Sequence, residues 1–373
     1  MLENRLRFAV LNSSYNDQHL FVTLVQSART LLFDTGPMEV PKALAHEVRD
    51  VCISHRHMDH LEGFPSFARQ VLATREPVRV YGPKGIARAL SGMLQAFEWN
   101  YAQRLRLRLD VHEVVDEATL VRTELNIRRG FRMGRSEQAT RTPVVHQDRD
   151  VALTAFDLAH HTVPCLGYRL ALPDEWRVDS KALLQLGVKP GPWLGELLER
   201  LARGEEPGAE ETVPPPAKQR RGKSKQAEEQ ETTATEAPTV KLKQVAAEAI
   251  RKERGIRLGY VTDTGDTPAV RERLREHLAE ADVLFCEAYF AHAEAKRAAQ
   301  NGHLTAVQAG EIAQELNVGE LVVTHISPRY PPGRILNEVR KVFARTRSKR
   351  DFLLTPEEYA EANARPGDDA EEF

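Results

Sequence analysis

Within the segment VCISHRHMDHLEGFP, residues 51–65, six consecutive positions carry His55, His57, Asp59 and His60. Neutral imidazoles and carboxylates are ligands for zinc and other divalent ions. His55 and His57 are two apart, so in extended backbone they point the same way, and a turn after them lets Asp59 and His60 face a second ion. VRDVCIS, just before, reads as a buried strand, and a strand that ends in such a loop presents ligands to a metal. The chain has 13 histidines, and several others also fall where strand-like runs end: His160 and His161 after VALTAFDLA, and His325 after LVVT. Asp263 and Asp266 follow GIRLGYVT, and Glu287 lies in ADVLFCEAYF. By residue type alone, a lone histidine or aspartate at such an edge is a turn or packing residue as readily as a ligand.

The elements that must position these groups alternate. RLRFAVLN, LFVTLVQS and RTLLFDTG read as strands, rich in apolar and β-branched residues between polar turns. VPKALAHE reads as a short helix, GFPSFARQVLA as a helix just past the histidine loop, and PVRVYGPKGIARALSGMLQAF as strand, turn and helix. Residues 105–155 add strands with charged turns. The second half resumes with GIRLGYVT (strand), AVRERLREHLAEA (helix), ADVLFCEAYF (strand), a helix N-capped by Thr305, and the strand LVVTH. Such alternation predicts an α/β fold.

Composition narrows the class. Lys and Arg number 52 against 54 Asp and Glu, a net charge of −2, so any nucleic-acid surface must be local. No apolar run is long enough to span a bilayer, and MLENRLRFAVLNSS lacks the core of a signal peptide. Cys52, Cys165 and Cys286 sit in apolar runs, which reads as buried thiols in a reducing, cytoplasmic setting.

HRHMDHLEGFP resembles the H-x-H-x-D-H loop of the metallo-β-lactamase superfamily, and its continuation LEGFPSF resembles the ribonuclease Z branch. AHHTVPCLGYRL resembles that branch's H-x-x-P-S-x-G-Y-R segment, with His161 in register and His160 the bland neighbour. GYVTDTGDTP, GHLTAVQAGEIA and THISPRY also resemble the branch, so the likeness covers nearly all of residues 30–345. It implies an α/β metallo-β-lactamase αββα sandwich, a single domain over 1–373 with an exosite-like arm inserted at 175–255.

The resemblance further implies two Zn(2+) per chain, at a site whose donors also suit manganese or iron. His55, His57 and His161 would hold one ion, and Asp59, His60 and His325 the other, with Asp263 bridging. Asp34 would support the loop from behind. Asp59 would also orient or deprotonate the attacking water, His303 would protonate the leaving oxygen, and Glu287 would orient His303. Arg329 and Tyr330 would either hold phosphate or pack the site. Gly191 and Pro192 match the Gly-Pro segment of the arm that grips RNA.

The implied activity is endonucleolytic removal of the 3′ trailer from precursor tRNA by a metal-bound hydroxide, in a homodimer with no membrane association. The alternative is a related metallohydrolase acting on a small or cyclic phosphodiester; a third reading is an RNA-binding protein with structural zinc. Two features depart from the branch: a short first loop, LNSSYNDQH, and a Pro-, Glu-, Lys- and Thr-rich insertion. The insertion, residues 205–240, is too poor in apolar side chains to order itself. Its basic stretch Lys218–Lys225 reads as a linker or an RNA contact. KLKQVAAEAIRKERG reads as an amphipathic helix returning to the body, and 355–373 as a flexible acidic tail.

Overall fold

The computed structural model describes residues 4–11, 19–37, 40–140, 142–214 and 240–364. The centre of the first loop and the Lys218–Lys225 stretch lie outside them. Eight strands form the first sheet in sequence order: β1 (Leu6–Ala9), β2 (Leu20–Leu24), β3 (Arg29–Phe33), β4 (Val48–Cys52), β5 (Val78–Pro83), β6 (Arg108–Asp116), β7 (Thr119–Asn126) and β8 (Met133–Thr140). Strands β3 to β6 run parallel, the others antiparallel.

The chain continues through β9 (Val144–Gln147), β10 (Ala152–His160), β11 (Val163–Ala171), β12 (Glu175–Val178), β13 (Ile250–Glu253), β14 (Arg257–Val261), β15 (Val283–Glu287), β16 (Glu320–Thr324) and β17 (Thr346–Ser348). A second, seven-stranded sheet has the order β17-β16-β15-β14-β11-β10-β9. Its β15 shows why an unbroken apolar run folds this way. Val283 and Phe285 face the other sheet, while Leu284 and Cys286 face helices, so both sides of the strand are buried.

Between the sheets lie Val22, Leu31, Phe33 and Cys52 from one side and Leu166, Tyr168, Leu258, Tyr260 and Phe285 from the other. Phe33 meets the rings of Tyr168 and Tyr260 at 5.9 and 5.1 Å. Helices Phe64–Gln70 and Ile86–Gln95 cover the first sheet, and Pro268–Leu278, Ala306–Glu315 and Pro332–Val342 the second. The layers are therefore αββα. Thr305 caps its helix by accepting from the Gln308 N–H, with Gln308 bonding back.

Topology gathers the strand ends that matter. Strands β14, β15 and β16 are parallel, so Asp263, Glu287 and His325 come to one edge of the sheet. β10 is antiparallel to β11, which is antiparallel to β14, so β10 also ends at that edge, with His160. The histidine loop follows β4 and is tied there, since the Leu166 N–H donates to Ser54 O at 2.9 Å and the Tyr168 hydroxyl to Ile53 O at 2.7 Å.

Residues Pro173–Gly255 form a separate compact unit. The two-stranded ribbon β12–β13 and the helices Ser180–Gln185, Pro192–Ala202 and Leu242–Ala249 enclose Leu183, Trp193, Leu197, Val245 and Ile250. Here the structure corrects the sequence reading. The helix stops at Ala249 because Ile250 is buried opposite Val178 in the ribbon, and that pairing overrides the helical pattern of the run. The flanks of the insertion are also ordered: Thr212 pairs with Lys241, and Arg200 holds Glu211 through two bonds of 2.5 and 3.2 Å. Residues 215–239 lie outside the described residues. Nor is the whole of 355–373 a tail. Pro356–Ala364 is a helix that Thr355 caps by accepting from the Glu358 N–H at 3.1 Å, while the Thr355 N–H donates back to Glu358 at 2.8 Å.

Candidate metal centre

After β4 the backbone stays extended through His55 and His57 and then turns helical over Met58–Leu61, which presents Asp59 and His60. The turn is braced by the Thr35 N–H donating to His60 O and the Gly63 N–H to Thr35 O, both at 2.9 Å. A Cβ at Gly63 would stand 2.1 Å from Gly36 O, so only glycine allows this approach.

Asp34, directly after β3, orients the loop's imidazoles from behind. It is fully buried and accepts from the Ser54 N–H and hydroxyl, each at 2.7 Å, from the Tyr260 hydroxyl at 2.8 Å and from His60 Nδ1 at 2.9 Å. Because the Ser54 proton goes to Asp34, its oxygen accepts from His55 Nδ1 at 3.0 Å. Both rings thus carry their proton on Nδ1 and turn Nε2 toward Asp263, 3.4 Å away for His55 and 3.8 Å for His60. Neither Nε2 has a hydrogen-bond partner although both are buried. Buried nitrogens facing a buried carboxylate without a bond between them are what a metal ligand set leaves in its absence. The residues therefore fit a divalent ion.

Among the described residues, three overlapping groups have donor atoms within 4.8 Å of one another: His55, His57, His160 and Asp263; Asp59, His60 and His325; and Asp263, Glu287, His303 and His325. Asp263 is common to two of them and sits 2.6 Å from His325 Nδ1. Asp34, Asp263 and His325 all hold positive φ, 54°, 45° and 46°, just past strand ends. Such backbone is costly without glycine and clusters at functional sites.

The member from β10 is His160, not His161. His160 pairs with Val163 across the hairpin, which leaves His161 and Thr162 as a two-residue turn, with His161 at φ 53° and exposed. His160 is 3 % exposed, donates from Nδ1 to Gly302 O at 3.0 Å, and brings Nε2 to 3.8 Å from Asp263. The H-x-x-P spacing selects His161, whereas strand pairing puts its neighbour in the cluster.

Electrostatics divides the imidazoles. Burial, helped by His55 and His303, pushes His160 down to about 4, and burial with His60 lowers His55. Burial also opposes the charge of His60, but Asp34 and Asp263 outweigh it and raise His60 to about 9. His303 behaves likewise: against burial, Glu287 and Asp263 hold it at about 9. Its Nδ1 donates to Glu287 Oε2 at 2.9 Å, and the other oxygen of that buried carboxylate accepts from the Thr264 N–H at 2.7 Å.

Tyr330 is 5 % exposed and packs in the core, with the Arg334 guanidinium 5.3 Å from its ring centre. Arg329 is half-exposed. Gly191 is extended and Pro192 opens its helix in the separate unit. Three contributors had no signal in the sequence: Ser54 and Tyr260, which hold Asp34, and Tyr289. The Tyr289 ring stacks on His303 at 4.4 Å and 14°, and lies 4.8 Å from His325.

Comparison with known proteins follows the same lines. The pattern of the beta-lactamase superfamily domain matches residues 24–178 and 195–326. Ribonuclease Z of Deinococcus radiodurans is 33 % identical over 333 residues, 87 % of this chain and 91 % of that protein. Ribonuclease BN of Cronobacter sakazakii is 28 % identical over 335 residues, 86 % and 88 % of the two chains. Among solved structures, the short form of human tRNase Z is similar at 14 % identity and a TM-score of 0.49, over 92 % of this chain and 95 % of that one. The chain belongs to the beta-lactamase superfamily and, within it, to the ribonuclease Z family.

Proposed function

We propose that the chain is a zinc-dependent phosphodiesterase that removes the 3′ trailer from precursor tRNA. What carries the reading is one juxtaposition: buried, unbonded imidazole nitrogens around Asp263, with donor atoms of the His303–Glu287 pair within 4.8 Å of the same carboxylate. His55, His57, His160 and Asp263 would hold one ion, and Asp59, His60, His325 and Asp263 the second. Bound there, such ions bring water toward neutral pKa and neutralise phosphoryl charge.

The chain's own residues do the rest. Asp59 orients water and takes its proton as the oxygen–phosphorus bond forms. His303, protonated at neutral pH and fixed through Nδ1, gives its Nε2 proton to the 3′ oxygen as the phosphorus–O3′ bond breaks. Glu287 holds that ring in place, and its charge keeps the proton on it.

A homodimer is part of the proposal, supported by family resemblance. A cytoplasmic location is supported by three free, buried cysteines; no helix of the described residues is long and apolar enough to cross a membrane. The test is single-turnover cleavage of a 3′-extended precursor tRNA by zinc-loaded protein, with Asp59→Ala beside it. A discrete cut next to the acceptor stem, absent in the variant, supports the reading. Hydrolysis of only a small phosphodiester moves the function to the alternative substrate class.

A further inference from the structure

The sandwich has a second face with the chemistry of a polyanion site. Parallel β5 and β6 both start at the end of the first sheet opposite the histidine loop, since Cys52 at the end of β4 pairs with Tyr81 near the end of β5. The loop before β6 and the turn after β7 lie at that far end, about 20 Å from the metal centre by the length of β5. Over residues 97–106 and 127–135 there are six arginines and one carboxylate, Glu98, in a chain whose net charge is −2.

These two segments are stitched together. The Ile127 N–H donates to Leu107 O at 3.2 Å, the Gln103 side chain to Arg128 O at 3.0 Å, and Arg128 Nε to Leu105 O at 3.0 Å. Trp99 anchors the loop, its indole N–H donating to Leu94 O at 2.7 Å and its ring meeting Phe131 at 5.2 Å. On this rigid base Arg104, Arg106, Arg128, Arg129 and Arg132 are exposed. None of the five has an ion-pair partner among the described residues. Tyr101 and Phe97 stand beside them, 60 % and 52 % exposed, with Arg104 5.5 Å from the Tyr101 ring centre.

Unpaired guanidinium groups spread over two segments beside exposed aromatic rings suit a phosphate backbone and unstacked bases. We propose that this face grips RNA at a distance from the scissile bond, holding a part of the substrate other than the one being cut. The proposal rests on the RNA-processing reading above and adds to it a contact surface on the sandwich itself.

The test compares the wild-type chain with a triple variant, Arg104→Gln, Arg129→Gln, Arg132→Gln, and with the matching triple lysine variant as a charge-preserving control. Filter binding of 3′-extended precursor tRNA is measured across a salt series, beside hydrolysis of bis(p-nitrophenyl) phosphate, which reports an intact metal centre. The glutamine variant is expected to bind RNA about 10-fold or more weakly, with a salt slope smaller by roughly 0.7–0.9 for each phosphate it no longer neutralises. The lysine variant should keep most of the slope, and both should hydrolyse the small ester at the wild-type rate. An unchanged dissociation constant and slope in the glutamine variant overturn the proposal, as does loss of self-association in sedimentation with RNA binding intact, which would assign the face to a second copy. A wild-type chain that neither binds nor cuts this RNA overturns the functional reading itself.

Discussion

Two buried charge clusters sit in the same sandwich and are built on opposite logic. At the edge where β4, β10, β14 and β16 end, imidazole nitrogens and carboxylate oxygens crowd together while buried Nε2 atoms stay unbonded. Toward the other end, Asp50 of β4 is closed on every side. It accepts from Arg29 Nε at 2.8 Å and from Arg79 at 2.6 and 3.1 Å, and Arg29 reaches on to Asp148, in the turn after β9 of the second sheet, which also meets His146 at 2.9 Å. Two arginines balance two aspartates there, and the network clamps one sheet to the other. The closed cluster resembles a structural lock; the open one keeps its donors for something that is not protein.

Substitutions should separate the two by what they damage. At the open cluster, His303→Ala is expected to slow single-turnover RNA cleavage by about 10²–10⁴, while leaving the melting temperature and metal content near wild type. His160→Ala should weaken metal binding by at least the 10–100-fold typical of removing a residue that merely supports a ligand, with His161→Ala nearly neutral; equilibrium dialysis would decide between the neighbours. The reverse ranking would restore His161 as the ligand and make the observed hairpin register wrong. At the closed cluster, Asp50→Ala leaves Arg79 without its partner and Arg29 with Asp148 alone, and should cost about 3–5 kcal/mol in urea unfolding, with cleavage by the folded fraction unaffected.

The smallest effect is in pH dependence. Burial would raise the Asp148 carboxyl, but His146, the Asp150 N–H and Arg29 overcome it and hold the group well below the usual carboxylate range. Its stabilising contribution is therefore present above the unfolded value near pH 4 and is lost as pH falls below it. The urea midpoint should drop in acid, and less steeply in Asp148→Asn.

Much of the open cluster was legible because its donors fall in segments that resemble the metallo-β-lactamase loop or the ribonuclease Z motifs; position after a strand-like run left each of them ambiguous. His55, His57, Asp59, His60, Asp263 and His325 all fall in such segments, and the structure brings them together. His160 was not legible: choosing between adjacent histidines depends on which one pairs with Val163, a long-range fact about strand register. Tyr289 and Tyr260 fall in the strand-like runs ADVLFCEAYF and GIRLGYVT, and only packing shows that one stacks on His303 and the other bonds Asp34. Tyr330 was read as either a phosphate contact or a packing residue, and only the fold shows that its ring is buried. In the unit Pro173–Gly255, the helix in KLKQVAAEAIRKERG ends at Ala249 because the residues after it pair with the ribbon strand β12.

The most direct test of the account is metal content. Chelator-treated protein would be reloaded with zinc, dialysed and assayed by mass spectrometry, alongside Asp263→Ala, which removes the carboxylate common to two donor groups. The account predicts close to two ions per wild-type chain and a clear loss in the variant, in parallel with loss of RNA cleavage. Equal zinc in both proteins, or none in the wild type, would contradict it.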